Sequence, residues 1–419
     1  MKTRIPSSQQ IVPVLLGSGA NAYGLARGFY REFGVVSVAV GHPILLQCRH
    51  SRYVMPLSIT GLNDEQSFED SIHHVAEMLT TENHHRKLLI IACGDTSAAL
   101  LARHKAMVSQ DYLTASCDGD ILEQASDKAQ FWRLCQKANV PTPNTSIYSY
   151  ADFQAHNPIP LPDNFPLAVK AADSVSYLSV NFQGRKKAYI VRNNNELNTV
   201  VTSIFTHGYR KELVIQEFIP GTDDCMRTIN AYVNIDGTIA MMCMGKPILE
   251  EYAPSRIGNY AAIISGGDDE IYEYCHRLIN TLHYTGFINF DVKIDSRDNS
   301  YRFFEINPRP GGSSDFTSQA GYNLARWVWR DLILNEHHST VTCHTNHLWL
   351  GVSPFIMRQF TVPGPSRDEA IQLLKDHRWS RSAFDWHDMN PARLFDLLRW
   401  QIHVSKDYFN YAPKRTVSN

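Results

Sequence analysis

No stretch of this 419-residue sequence approaches the roughly 20 consecutive apolar residues that a membrane-spanning helix needs, and the opening MKTRIPSSQQ has no long apolar segment of the kind a secretory leader carries. A cytoplasmic protein without a transmembrane segment is the expectation. Excess charge of one sign is missing too: the formal net charge is -2, so nucleic acid is not expected as a partner. The eight cysteines include no CxxC or CxxH pair, which leaves no zinc module and suits reduced intracellular thiols. Histidine is plentiful, but His73-His74, His84-His85 and His337-His338 are adjacent pairs in polar surroundings and read as solvated surface. Repeats and low-complexity tracts are absent. A chain of this length exceeds one core and should divide into two or three domains.

What is present centres on Phe287 to Pro310, FINFDVKIDSRDNSYRFFEINPRP. Ile288, Phe290, Val292 and Ile294 alternate with Asn289, Asp291, Lys293 and Asp295, the period of a strand with one packed face and one polar face. Ser296 to Ser300 reverse the chain, and the return strand is expected to set Phe303, Glu305 and Asn307 on one side. A turn centred on Asp298 places Asp291 opposite Glu305. Two carboxylates across a strand pair repel, so a cation between them is the simplest reason for the arrangement. Magnesium suits it, because it takes few protein oxygens and completes its octahedron with water and phosphate. A solvent-facing hairpin would carry the same charges. Arg309 and the small loop Gly311, Gly312, Ser313 tip the balance, because they add a fixed cation and exposed N–H groups that suit an anion.

Along the chain, Ile11 to Leu16, Gly17-Ser18-Gly19 and Ala22 to Phe33 read as strand, glycine turn and helix, a Rossmann-like opening. The dinucleotide fingerprint fails, because Ala22 stands at the third glycine position and no acid follows Val35 to Val40. Lys87 to Cys93 with Gly94-Asp95-Thr96 repeats the strand-to-helix pattern of a parallel sheet. Ser126 to Asn139 is helical with Ser126 as candidate N-cap, and Val140-Pro141-Thr142-Pro143 stops it. Phe165 to Ala171 is a strand bearing Lys170; Leu213 to Ile219 is another, closed by Pro220-Gly221 and Asp223-Asp224. Thr228 to Asn234 and Thr238 to Met244 form a hairpin through Asp236-Gly237. Ser255 to Tyr260 suits a loop or a flap, and Asp269 to Tyr284 is helical. Beyond about Trp327, where Arg367 to His377 reads as a helix, the pattern says nothing of function.

In this order the pieces, over about Val12 to Gly312, resemble the ATP-grasp superfamily of carboxylate-amine ligases. The resemblance implies an α/β and α+β architecture: a Rossmann-like domain at 1–122, an ATP-grasp fold whose two α+β subdomains span 123–205 (the lid) and 206–335, and a C-terminal extension at 336–419. It implies ATP and Mg2+ as cofactors. Lys128 and Lys170 would meet phosphate, Gln216, Glu217, Phe218 and Ile219 would edge the adenine, Asp223 or Asp224 would meet the ribose, and Asp291, Glu305 and Asn307 would hold the metal. Arg309, Lys246 and Arg256 would offset charge during catalysis. VPVLLGSGANAYGLARGFY, IQEFIPGTDDCMR and RIGNYAAI look most similar to the D-aspartate ligase branch. That branch implies activation of the D-aspartate β-carboxylate and transfer to a lysine amine of a peptidoglycan precursor, with Arg227, Arg256 and the Gly311, Gly312 and Ser313 amides on the second carboxylate. Arg256 could clamp ATP instead. Two features depart from relatives: Asn289 stands where D-alanine-D-alanine ligases carry arginine, and Ser174 to Asn181 has no glycine where a glycine-rich lid loop is frequent. A ligase for another acid and amine, a carboxylase or kinase-like phosphotransferase, and a non-catalytic ATP sensor are the competing readings. The sensor would not need the acid hairpin. Oligomeric state, including a homo-oligomer, is left open.

Overall fold

The computed structural model describes residues 4–413 apart from residue 255. Its first unit is a five-stranded parallel sheet in the order Val54–Ser58, Ser37–Gly41, Ile11–Leu16, Lys87–Ala92, Tyr112–Leu113. The central strands are apolar nearly throughout because helices cover both faces. Helix Ala20–Phe33 follows the first strand and ends at Gly34, whose φ of 69° is the left-handed conformation a residue without Cβ adopts freely.

The second unit is a four-stranded antiparallel sheet in the order Thr145–Tyr148, Leu213–Glu217, Leu167–Ala171, Tyr189–Val191, backed by helix Asn194–Thr206. Leu213–Glu217 therefore belongs to the small sheet, on the far side of the boundary at 205/206 that the sequence suggests. The long interval between it and Leu167–Ala171 hides their pairing, which runs from Leu167 opposite Glu217 to Ala171 opposite Leu213. Helix Lys128–Ala138 moves the other way. Its Phe131, Cys135 and Ala138 join the core beneath the large sheet rather than the lid. Asp127, not Ser126, caps it, with its carboxylate accepting from the Ala129 and Gln130 amides.

The third unit is an eight-stranded sheet running Tyr301–Asn307, Gly286–Ile294, Met226–Val233, Ile239–Glu250, Tyr260–Gly266, Leu348–Leu350, Trp379–Arg381, with Val341–Thr342 also on Ile239–Glu250. Three strands thus come from the segment beyond residue 335, which completes the sheet instead of standing apart. The same segment docks on the first unit: Asp388 accepts from Tyr23 and Ser51, Asp385 accepts from Tyr53, and Arg393 donates to the carbonyls of Gln47 and Arg49. Register decides what each face of the large sheet carries. Thr228 lies opposite both Asp291 and Gly245, and Asn230 opposite Asn289, so these residues share the cleft face. Ile229, Phe290, Val292 and Met244 occupy the other face and pack on helices Lys128–Ala138 and Asp269–Leu282.

Candidate functional site

The hairpin Gly286–Ile294 and Tyr301–Asn307 pairs Asp291 with Glu305 and Asn289 with Asn307. A bulge between Asp291 and Val292 sets Val292 opposite Phe303 and leaves Phe304 as the extra residue. That extra residue reverses the alternation the sequence suggests. Phe303 turns into the core against Phe290, while Glu305 and Asn307 remain on the cleft face. Phe304 becomes a platform on which the Lys170 ammonium sits, 5.1 Å from the ring centre.

Around the acids, Asn307 Nδ2 donates to Asp291 Oδ2 at 3.0 Å and to Asn289 Oδ1 at 3.1 Å. Asn289, buried, donates in turn to Thr228 Oγ1, so it orients Asn307 from behind. Lys128 donates to Ser174 Oγ at 2.9 Å and lies 3.1 Å from Glu305 Oε1. It reaches there because its own amide is bonded to the Ala172 carbonyl, which docks the helix start on the small sheet. The field is uneven. Burial and the neighbouring Glu305 raise Asp291 to about 7. Burial pushes Glu305 the same way, but Lys128, Lys187 and Lys170 outweigh it and hold Glu305 at about 2. Burial lowers Lys170 to about 8. Two crowded carboxylates with an ammonium on one of them make a site that wants a cation.

Arg309 donates through Nε to Asp95 Oδ1 at 2.5 Å and through Nη2 to Asn307 Oδ1 at 3.2 Å. Asp95 opens helix Asp95–Arg103 at the carboxyl end of a first-unit strand, so the arginine bridges two units. The Gly311 amide donates to Asn230 Oδ1, and a Cβ at Gly311 would lie 3.1 Å from both Asn230 Oδ1 and Asn289 Nδ2. A side chain at Gly311 would therefore crowd the Asn230 and Asn289 amides, which favours glycine where the loop approaches the sheet.

At the other end of the cleft, Gln216, Glu217, Phe218 and Ile219 carry the chain out of the small sheet. Gln216 donates to Thr145 Oγ1, Glu217 pairs with Arg297, the Phe218 ring lies beneath Lys293 Nζ at 5.7 Å, and the Ile219 carbonyl accepts from Lys293. Asp224 is engaged at both oxygens, by Thr222 and Ser366. Among the described residues Asp223 accepts at Oδ2 alone, from the Glu250 amide and the Tyr252 hydroxyl. Glu250, raised to about 7 by burial and by Asp223, faces this end of the cleft with Tyr260, its partner across the strands.

Three expected residues are not brought in. Lys246 follows Gly245 and so points from the opposite face, where it pairs with Glu369 at 2.6 Å. Arg227 lies opposite Val292 on that same reverse face, and its guanidinium binds the Asp224 and Met226 carbonyls. Strand period 2 alone separates both from Asp291. Arg256 is held between Glu251, at 3.1 Å, and Asp407 of helix Pro391–Tyr411, while Ser255, where the expected flap begins, lies outside the described residues. Conversely, Asp95, Thr228, Asn230, Lys187, Phe304, Glu250 and Tyr260 went unassigned as site residues in the sequence. Thr228 and Asn230 had a legible signal, as polar alternates in an otherwise apolar strand; Lys187 and Asp95 had none. Among the described residues no group of three or more His, Cys, Asp or Glu could hold a metal.

The chain and its fold are similar to known proteins. The family described as ATP-grasp in the biosynthetic pathway with Ter operon matches residues 263–348, which include the acid hairpin. Folds align with an L-amino acid ligase from Bacillus licheniformis (TM-score 0.53, 14% identity, 78% of this chain and 74% of that one). They align also with N5-carboxyaminoimidazole synthetase from Staphylococcus aureus complexed with ADP (TM-score 0.56, 14% identity, 88% and 85%). The chain belongs to the ATP-grasp family and is an ATP-dependent carboxylate-amine ligase. Within that family it is 35% identical, over 413 residues spanning 97% of this chain and 96% of the relative, to the D-aspartate ligase of Enterococcus faecium.

Proposed function

We propose that the protein phosphorylates the β-carboxylate of D-aspartate with ATP and transfers the aspartyl group to a lysine side-chain amine of a peptidoglycan precursor, in the cytoplasm. The observation that carries this reading is the near full-length identity with the D-aspartate ligase of Enterococcus faecium. ATP would lie between the small and large sheets. Gln216 to Ile219 would edge the adenine and Asp223 the ribose, since Asp223 keeps an oxygen free of the bonds that engage Asp224. Lys128, Lys170 and Lys187 would meet phosphate oxygens. Asp291, Glu305 and Asn307 would hold magnesium, and the fit rests on the crowding that raises Asp291 and on the Lys128 ammonium beside Glu305. Bound there, the ion would neutralise charge on the β- and γ-phosphates.

A carboxylate oxygen attacks the γ-phosphorus as the bond to the bridging oxygen breaks, giving β-aspartyl phosphate and ADP. The neutral amine then adds to the acyl carbon, phosphate leaves with the electron pair, and the nitrogen loses a proton. Positioning and charge neutralisation carry such chemistry, so no nucleophilic side chain is required. Arg309, which donates to Asp95, would meet charge developing on the transferred group. The amides of Gly312 and Ser313 would meet the second carboxylate, that of Gly311 being taken by Asn230 Oδ1, and Arg256 would join them only on leaving Glu251 and Asp407.

The test supplies ATP, magnesium and a lysine-containing precursor, and compares D-aspartate, L-aspartate and other acids by ADP formation and product mass. Product from D-aspartate alone supports the reading. Preference for another acid discards it while the ligase chemistry stands.

A further inference from the structure

Helix Pro391–Tyr411 turns Arg393, Leu397, Val404 and Tyr408 inward. Its outward face is unusual for a surface helix. Phe395, Leu398, Ile402 and Phe409 are 61%, 49%, 58% and 64% exposed. At about 100° per residue they fall within a sector of roughly 60°, a stripe about 21 Å long in which Ser405 and Lys406 flank the interval between Ile402 and Phe409. Arg399, His403 and Lys406 are exposed along one edge of that stripe, and the guanidinium of Arg399 lies over the Phe395 ring. Of the helix's two carboxylates, Asp407 binds Arg256 and lies 3.7 Å from His403, and Asp396 lies 3.8 Å from His50. Phe360, on the neighbouring helix Pro354–Phe360, extends the apolar surface by packing on Phe409 at 5.2 Å between ring centres.

We infer that this face docks in the plane of an anionic lipid surface. A helix that inserts in the headgroup region needs bulky apolar and aromatic side chains on the face it buries and cations along its flank, which is the pattern found here. A two-fold contact that packs this helix antiparallel on its copy would bring the same edge of Arg399 and Lys406 against itself. The helix's inner face holds the loop beside the cleft, since the Tyr408 hydroxyl donates to the Glu250 carbonyl at 2.7 Å and Asp407 binds Arg256. Docking would therefore set that loop about one helix diameter, roughly 10 Å, from the headgroups.

The full chain is sedimented with vesicles of phosphatidylcholine alone and of phosphatidylcholine with phosphatidylglycerol, and its mass in solution is measured by light scattering. The expected result is binding to the anionic vesicles only, weakened by salt. Binding should fall by roughly tenfold or more in Leu398→Asp/Ile402→Asp and also in Arg399→Glu/Lys406→Glu. These side chains are exposed, so both variants should keep the wild-type thermal midpoint. Absence of vesicle binding overturns the inference, as does a dimer that Leu398→Asp/Ile402→Asp dissociates without vesicle binding. Binding unchanged in both variants overturns it too.

Discussion

Asp315 tests how the three parts of the chain are held together. It follows the glycine loop directly, and its carboxylate receives the Arg27 guanidinium from the first unit, Trp349 Nε1 from the C-terminal segment at 2.8 Å and Gln319 Nε2 at 3.2 Å. Both charged side chains are 2% exposed, and Arg27 also donates to the Arg381 carbonyl. Gly24 leaves the room: a Cβ there would stand 2.7 Å from that of Asp315. Asp315→Asn keeps the shape and removes the charge, which strands a buried guanidinium. Losing one partner of such a pair typically costs about 3–5 kcal/mol, whereas replacing both with apolar groups of similar volume is often near neutral. Equilibrium urea unfolding followed by tryptophan fluorescence and circular dichroism should show that loss as a lower midpoint at constant slope. Arg27→Met/Asp315→Leu should recover part of it, short of the about 1–3 kcal/mol that the buried Trp349 N–H costs without its acceptor. A loss under about 1 kcal/mol in Asp315→Asn, or a double variant as unstable as the single one, refutes the argument.

Glu305→Gln should leave the thermal midpoint near wild type and abolish ATP turnover; near-normal ADP release would remove Glu305 from the site. Because the free protein holds Lys170 at about 8, its positive charge is present below that pH and lost above it, so an anion that needs the charge must recruit a proton at high pH. The apparent Kd for ATP by calorimetry should therefore rise above pH 8 towards about tenfold per unit, and Lys170→Arg should flatten the rise. Equal slopes in both proteins would exclude Lys170 as the cause. Lys246→Met should leave ATP affinity within about twofold, since its ammonium lies behind the sheet with Glu369; a larger change would contradict the register that puts it there.

Local pattern was sufficient for much of this protein. Alternation from Ile288 to Asp295 put Asp291 on the polar face of its strand, because a strand's two faces follow directly from its residue order, whereas Glu305 comes opposite it only through the bulge. Strand-to-helix punctuation likewise marked the first unit. Where one residue of slip matters, the sequence was silent. The bulge at Phe304 swings Phe303 into the core and provides a ring beneath Lys170, and nothing in FFEIN specifies it. Which face Lys246 and Arg227 take depends on pairing between strands of different hairpins. That Leu213–Glu217 joins the lid and that residues beyond 335 complete the large sheet depends on contacts far apart in sequence. Residue types and period determined the chemistry available to this chain; long-range register and packing decided which of those residues meet, because strand pairing is fixed by what the whole fold buries.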